Sequence, residues 1–233
     1  MRWNSILNDR IKNGKNLVAV LGSQSQRRHI LRWIRSLKKD YLFEAPCPWL
    51  VFDAIDYIRP RMFKSMNVFE YGSGGSTLFW LNCGANVVSI EHDPQWSEHM
   101  RKRLQSYKSI DYRLITPEEN ESENQNKDRS DPDSYGSRFN YVSQIDAFPD
   151  QYFDIVLIDG KARPSCIKHS VSKVKLGGMI ILDNADRDYY LLKTEKFFEG
   201  FSKNEFFGIG PQYFGAGKTN VYTKIDHVSD FPQ

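Results

Sequence analysis

The sequence contains few cysteines, no long hydrophobic run and no marked excess of one charge sign. Its three cysteines, Cys47, Cys83 and Cys166, are odd in number and irregularly spaced, which argues against a disulfide framework and against a zinc site. No apolar run approaches the roughly 18 residues that a membrane-spanning helix needs. The first residues do not follow the signal-peptide pattern. We therefore expect a cytoplasmic protein with no membrane span.

The chain has 233 residues, 40% of them hydrophobic, which suits one globular domain. Its net charge of +3 is unevenly distributed, because residues 1–40 contain ten Lys or Arg and two Asp. We predict a basic N-terminal helical segment over residues 1–45 and a main domain over residues 46–233. Within the segment, apolar residues recur at helical spacing between residues 26 and 41, so we expect an amphipathic helix. Its basic side could bind nucleic acid, an anionic membrane surface or an acidic partner, or could simply be solvated.

From residue 67 onward, short apolar strands alternate with helical patterns. The run from Phe153 to Asp159 is so apolar in its centre that both faces of the strand must be covered, as in the middle of a parallel sheet. The pattern predicts a doubly wound α/β sheet, Rossmann-like and mostly parallel, with helices on both faces. In such sheets ligands bind at the carboxyl ends of the strands.

Residues 116–138 interrupt this alternation. They contain seven acidic residues, three basic residues and no aliphatic residue, so we predict an exposed acidic insertion that could act as a lid. We expect the pocket for the acceptor to be formed by the basic segment, this insertion and residues 210–218, since such segments vary with substrate.

A glycine-rich turn over residues 72–75 follows the first strand of this series. Glu91 ends the next strand, 19 residues after Gly72, where a carboxylate can accept hydrogen bonds from both hydroxyls of a ribose. A dinucleotide site would prefer glycine where Thr77 stands. Glu70, directly before the turn, would repel a pyrophosphate but attract the sulfonium and ammonium of S-adenosylmethionine, which favours that cofactor over NAD. The alternative is a solvent-exposed or capping glutamate.

These residues belong to four runs that resemble the class I S-adenosylmethionine-dependent methyltransferases: VFEYGSGGS at 68–76, VSIEHD at 88–93, FDIVLIDG at 153–160 and LGGMIILDN at 176–184. The resemblance covers about residues 46–225. It implies a seven-stranded sheet with an antiparallel last strand, and it places Glu91 at the ribose, His92 at the adenine rim and the glycine turn at the amino-acid end of the cofactor. The predicted cofactor-binding residues are Glu70, Gly72, Ser73, Gly74, Ser76, Glu91, His92 and Asp159.

Asp159, Asp183 and Asn184 end two adjacent strands, so their side chains are expected at one rim. Two carboxylates and an amide oxygen are hard ligands suited to Mg²⁺, and the arrangement resembles the metal site of the catechol-type O-methyltransferases. The glycine-rich turn and the acidic insertion depart from that pattern. Turn capping explains the same residues without a metal.

Lys161, Arg163 and Tyr135 are further candidates for contact with the acceptor. Asp159, which is also a predicted metal ligand, and Lys161 are the predicted catalytic residues, with Lys161 as a possible general base. Arg163 could hold an anionic substrate, and Tyr135 could close over the acceptor. Surface charges on a loop and an exposed turn are the alternatives.

We therefore predict S-adenosylmethionine-dependent O-methylation of a small molecule such as a sugar or a phenolic metabolite. One alternative is an RNA methyltransferase that uses the basic segment, although nucleic acid is not the favoured partner because no motif for methylation of base amines is present. Another is a non-catalytic protein that keeps the fold. The charge pattern around the glycine turn argues against that reading.

Overall fold

The computed structural model describes residues 22–118, 129–213 and 215–225. Its strands are β1 (Asn67–Tyr71), β2 (Asn86–Glu91), β3 (Ile110–Leu114), β4 (Phe153–Ile158), β5 (Val174–Asp183), β6 (Phe201–Gly208) and β7 (Gly217–Lys224). Its α-helices are α1 (Gln24–Arg27), α2 (Ile30–Ser36), α3 (Tyr41–Glu44), α4 (Phe52–Ile58), α5 (Gly75–Asn82), α6 (Pro94–Leu104), α7 (Phe139–Val142) and α8 (Arg163–Ser170).

The seven strands form one sheet in the order β3-β2-β1-β4-β5-β7-β6. Strands β1 to β5 pair in parallel, and β7 runs antiparallel to both of its neighbours. The predicted doubly wound, mostly parallel seven-stranded sheet with an antiparallel last strand is therefore confirmed. Among the described residues, no helix is both long and apolar enough to cross a lipid bilayer.

Strand β4 lies at the centre of the sheet and is covered on both faces. Ile155 and Leu157 pack into one hydrophobic cluster, while Val156 and Ile158 pack into the cluster on the opposite face. This alternation follows from the period of two of a β-strand. It explains why the strand is a continuous apolar run, and it directs its carboxyl end, with Asp159, to the edge of the sheet where the ends of β1, β2 and β5 also meet.

The predicted helix over residues 26–41 is wrong. That stretch contains α1, α2 and the start of α3, and Asp40, in the left-handed conformation with φ of 64°, separates α2 from α3. The predicted apolar stripe does not face the domain either, since Ile34 is 52% exposed. The buried side of the segment is polar and includes Gln26 and His29.

Hydrogen bonds and ion pairs attach this segment to α4. The Gln26 amide donates to Asp53 over 2.7 Å, and an imidazole nitrogen of His29 lies 2.7 Å from the same carboxylate. Arg32 pairs with Asp56 and places its guanidinium over the ring of Phe52. Several of the basic residues are thus used within the molecule, and they help to attach the segment to the domain, together with Trp33, Leu42 and Phe43, which pack against the hydrophobic core.

Residues 119–128 of the predicted acidic insertion lie outside the described residues. Its end does not match the expected exposure throughout, because Ser130 and Pro132 are buried. Residues 129–138 instead return to the sheet edge and lead into α7.

Candidate functional site

A cleft of about 1320 Å³ lies at the carboxyl ends of the parallel strands. It exceeds the roughly 300–1,000 Å³ that is typical of a pocket for one small ligand, so a cofactor and a second molecule fit together. Every predicted site residue except Glu70 contributes to its wall: Gly72, Ser73, Gly74, Ser76, Glu91, His92, Tyr135, Asp159, Lys161, Arg163, Asp183 and Asn184.

The turn between β1 and α5 brings the backbone close to β4. Gly72 has φ of +96°, and a Cβ atom there would lie 3.2 Å from the backbone of Asp159, so a side chain would be both strained and crowded. The backbone N–H of Gly74 donates to the hydroxyl of Thr77 over 2.9 Å. Thr77 therefore caps the start of α5 where a dinucleotide-binding turn would carry glycine, and the turn leaves open space on its cleft side at Gly74.

Glu91 ends β2 beside this turn, and hydrogen bonds hold its carboxylate in place. One oxygen accepts hydrogen bonds from the N–H and the hydroxyl of Ser73, at 3.1 and 2.7 Å. The other accepts from the N–H groups of His92 and Asp93, at 2.7 and 2.9 Å. Burial favours the neutral acid, but these donors outweigh it and lower the pKa of Glu91 to about 2. The cleft therefore presents a fixed negative charge at the place predicted for a ribose.

Glu70 lies beneath the glycine turn and does not line the cleft. It is fully buried, and it accepts hydrogen bonds from Ser76 Oγ at 2.8 Å and Trp80 Nε1 at 3.2 Å. Burial raises the pKa of Glu70 to about 7, although these donors oppose the rise. Direct contact between Glu70 and a cofactor does not fit this position. Its evident role is to hold the first turn of α5 against β1.

The raised pKa of Glu70 predicts a pH-dependent contribution to stability. Between about pH 4.5 and 7, Glu70 is protonated in the folded protein and ionised in the unfolded chain, so folding takes up a proton. The stabilisation is therefore fully present below the pKa of Glu70 in the unfolded chain and is lost as the pH rises through about 7. We expect Glu70→Gln to remove this pH dependence, because its amide oxygen can accept the same hydrogen bonds but does not titrate. Between about pH 5 and pH 8 the free energy of unfolding of the variant should therefore fall by up to about 3 kcal/mol less than that of the unsubstituted protein. Urea unfolding at both pH values measures this. An unchanged pH dependence, matching that of the exposed control Glu98→Gln, would show that Glu70 titrates normally.

Arg163 joins the ends of β4 and β5 from the first turn of α8. Its guanidinium donates to the Asp159 carboxylate at 2.9 Å and to the backbone carbonyls of Asp159, Gly160 and Asp183. It is 6% exposed and packs against the ring of Tyr190. The predicted role of Arg163 in holding an anionic substrate is not supported, because its donors are already used to clamp the two strand ends.

The predicted metal ligands have other partners. Asp183 accepts hydrogen bonds from Thr219 Oγ1 and from the Asn184 amide, both at 2.8 Å, and burial together with the nearby charge of Asp159 raises its pKa to about 8. Asn184 thus presents its amide nitrogen to Asp183, and the cation beside Asp159 is Arg163. With Arg163 paired to Asp159 and with Asp183 accepting two hydrogen bonds, this cluster does not fit Mg²⁺, which binds several oxygen ligands directly.

Two other predicted residues line the cleft near α8. Lys161 is exposed, and its ammonium makes no hydrogen bond or ion pair with the described residues. Tyr135 stands with its ring edge-on to His169, with its hydroxyl 3.2 Å from Asp133. Sequence patterns did not single out Arg129 and Arg187, which also line the cleft.

The expected contributions to the pocket wall from the basic segment, the insertion and residues 210–218 are all present. Leu42 and Phe43 line the cleft on the side of the glycine turn, and a Cβ atom on Gly75 would lie 2.9 Å from the carbonyl of Leu42. Phe43 contacts Trp96, whose indole N–H donates to the carbonyl of Ser73 over 2.8 Å. Trp96 is 38% exposed and itself borders the cleft.

The basic segment also holds the loop between β6 and β7. Trp33 Nε1 donates to the Tyr213 carbonyl over 2.7 Å, and Ser36 Oγ accepts from the N–H of Gln212 at 2.9 Å. Gln212 and Tyr213 both line the cleft. The segment therefore shapes one wall of the cleft through this loop.

No protein-family model matches the chain, and no curated protein sequence matches it significantly. The structure is similar to a putative O-methyltransferase from Klebsiella pneumoniae, with 15% identity and a TM-score of 0.56 over 87% of this chain and 97% of that one. It is also similar to the precorrin-6y C5,15-methyltransferase of Geobacter metallireducens, with 16% identity and a TM-score of 0.50 over 73% and 86% of the two chains. Precorrin 8W decarboxylase from Methanobacterium thermoautotrophicum matches at 14% identity with a TM-score of 0.51, over 78% and 95%. With the strand order and the antiparallel β7, these likenesses show that the chain has the fold of the class I S-adenosylmethionine-dependent methyltransferases.

Proposed function

We propose that this protein is an S-adenosylmethionine-dependent methyltransferase that methylates an oxygen of a small molecule. The observation that carries the proposal is the ionised Glu91 beside the Gly72 turn, at the edge of a cleft that has room for a cofactor and an acceptor. A carboxylate at this place matches the two hydroxyls of a ribose.

The chain would hold the cofactor along the glycine turn. Glu91 would accept hydrogen bonds from the ribose hydroxyls, and His92, with its side chain 25% exposed, would border the adenine. The open backbone at Gly74 would receive the amino-acid end. When bound, S-adenosylmethionine supplies an electrophilic methyl group on a sulfonium.

Asp159 is the residue that we propose contacts the reacting hydroxyl. It lines the cleft, and the Arg163 guanidinium binds its Oδ1 and holds it in place. Its Oδ2 accepts no hydrogen bond from the described part of the chain, so it can accept the acceptor's proton as the oxygen attacks. Lys161 can then stabilise negative charge at the rim. No metal is needed for these roles.

The contacts of the basic segment favour a small-molecule acceptor over RNA. Arg28 and Arg32 pair with Asp53 and Asp56, so part of the +8 charge of residues 1–40 is neutralised within the protein. The segment also borders the cleft itself, which leaves a bounded pocket in place of an open basic groove.

Isothermal titration of the protein with S-adenosylhomocysteine tests the proposal. We expect one saturable site and an increase in the melting temperature at saturation, because the ligand binds the folded state. NAD serves as the control ligand, since it shares the adenosine but carries a pyrophosphate. Binding of NAD with no response to S-adenosylhomocysteine would overturn the proposal.

A further inference from the structure

The cleft is divided by charge. On the side of the glycine turn its ionisable residues are the acids Asp40, Glu91 and Asp93, with His92 between them and no Lys or Arg among the described lining residues. This half has an excess of negative charge, which suits a cationic cofactor.

The opposite half has an excess of positive charge. Arg129, Arg138, Lys161 and Arg187 line it, in addition to Arg163. Its acids are Asp131, Asp159 and Asp183, but Asp159 is paired with Arg163, and burial together with the charge of Asp159 raises the pKa of Asp183 to about 8. The cations therefore outnumber the ionised acids.

Three of these cations are available to a ligand. Lys161 and Arg129 are exposed, and their side-chain cations make no hydrogen bond with any residue that the structure describes. Arg187 is exposed too, and it donates to the hydroxyl of Tyr190 over 2.8 Å. Like charges that lie close together without an opposite charge cost free energy in the folded state, so a structural role does not explain these three cations. Arg163 differs, because its hydrogen bonds to the two strand ends explain its position.

The positions of the two arginines are linked through Tyr189. Burial favours its neutral form, yet hydrogen bonds from Tyr190 and Arg187 and the charges of Arg187 and Arg129 lower the pKa of Tyr189. The charge of Arg187 also acts on Asp159, which places it near the proposed reacting group. Lys161 follows Asp159 by two residues, so all three cations line the half of the cleft that contains Asp159.

We propose that the acceptor carries an oxyanion group, a phosphate or a carboxylate, that binds to Arg129, Lys161 and Arg187. This inference rests on the proposed function and specifies its substrate class. Guanidinium groups bind both oxyanions through paired N–H donors, and Lys161 adds a point charge. The anion would orient the acceptor so that its hydroxyl meets Asp159.

Calorimetric titration of the S-adenosylhomocysteine-loaded protein with inorganic phosphate, and separately with acetate, tests the inference. We expect saturable binding of at least one of these probes, weakened about tenfold or more in Arg187→Gln, Arg129→Gln and Lys161→Gln, since each loses a charge-assisted hydrogen bond. Raising NaCl from about 50 to about 500 mM should weaken binding further by screening. The probe that binds more tightly identifies phosphate or carboxylate as the preferred group.

Arg35→Gln and Lys102→Gln are the matched controls, because both residues are exposed and lie outside the cleft. They should bind the anion within about twofold of the unsubstituted protein. Saturable S-adenosylhomocysteine binding with no anion binding, or anion binding that none of the three cleft substitutions weakens, would overturn this inference and leave the methyltransferase proposal standing. Failure to bind S-adenosylhomocysteine at all would overturn the proposed function itself.

Discussion

We expect Glu91→Gln to weaken binding of S-adenosylhomocysteine by about 100-fold. The substitution removes a carboxylate whose pKa is lowered to about 2 and which would accept two hydrogen bonds from a ribose. Hydrogen bonds to a charged group contribute about 1.5–3 kcal/mol each, so the loss of the charge from two of them accounts for this factor. Isothermal titration of both proteins under the same conditions measures it.

Glu98→Gln is the control for Glu91, because it makes the same chemical change on the exposed side of α6. It should leave the affinity unchanged. Glu91→Asp keeps the charge and is expected to retain more affinity than Glu91→Gln, which separates the electrostatic role from a general loss of fold. If Glu91→Gln bound S-adenosylhomocysteine within about threefold of the unsubstituted protein, the assignment of the ribose site would be wrong.

We expect Arg163→Met to lower the free energy of unfolding by about 3–5 kcal/mol. The side chain of methionine fills similar space but leaves the partly buried carboxylate of Asp159 without its cation and three carbonyl groups without their donor. Urea unfolding at pH 7 measures the loss. Lys161→Met, two residues earlier on the same rim, should change stability by less than about 0.5 kcal/mol because Lys161 is exposed.

The double variant Arg163→Met with Asp159→Asn separates the ion pair from packing. Removing both charges should recover part of the loss, with a coupling free energy of about 0.5–3 kcal/mol. A stable Arg163→Met protein that binds phosphate more weakly would contradict the clamp and would restore Arg163 as a group that binds substrate.

The sheet and the meeting of the glycine turn with Glu91 at the cleft could be predicted because they follow from local sequence patterns. The apolar run of β4 indicates a central strand, and the spacing from Gly72 to Glu91 is that of one strand–helix–strand step. Parallel strands then bring their carboxyl ends to one edge, so residues distant in the sequence meet without any knowledge of side-chain packing.

The clamp at Arg163 could not be predicted in the same way. Ala162 adopts a left-handed conformation with φ of 49°, and α8 begins directly after it, which turns Arg163 back toward the strand ends. A charged residue in a loop has no local pattern that separates an exposed side chain from one that is 6% exposed. Glu70 presents the same difficulty, since the burial that raises its pKa comes from Ser76 and Trp80 on the following helix.

The basic segment shows where periodicity is misleading. The spacing of Ile34 and its apolar neighbours predicted the buried side, yet the segment is attached through polar groups, among them His29 with Asp53 and Trp33 with the Tyr213 carbonyl. A hydrophobic pattern reports apolar burial and cannot report docking by hydrogen bonds.

The hydrogen bonds from Trp33 and Ser36 fix the position of the loop at Gln212 and Tyr213, so the segment controls the shape of this part of the cleft. A substitution at Trp33 or Ser36 can therefore shift a loop that lines the cleft, although neither residue belongs to the sheet. Deleting the segment to obtain a shorter protein would remove these two hydrogen bonds and leave the loop without this support. Exchanging the part of the segment around Trp33 and Ser36 between relatives is therefore a direct way to alter this side of the cleft.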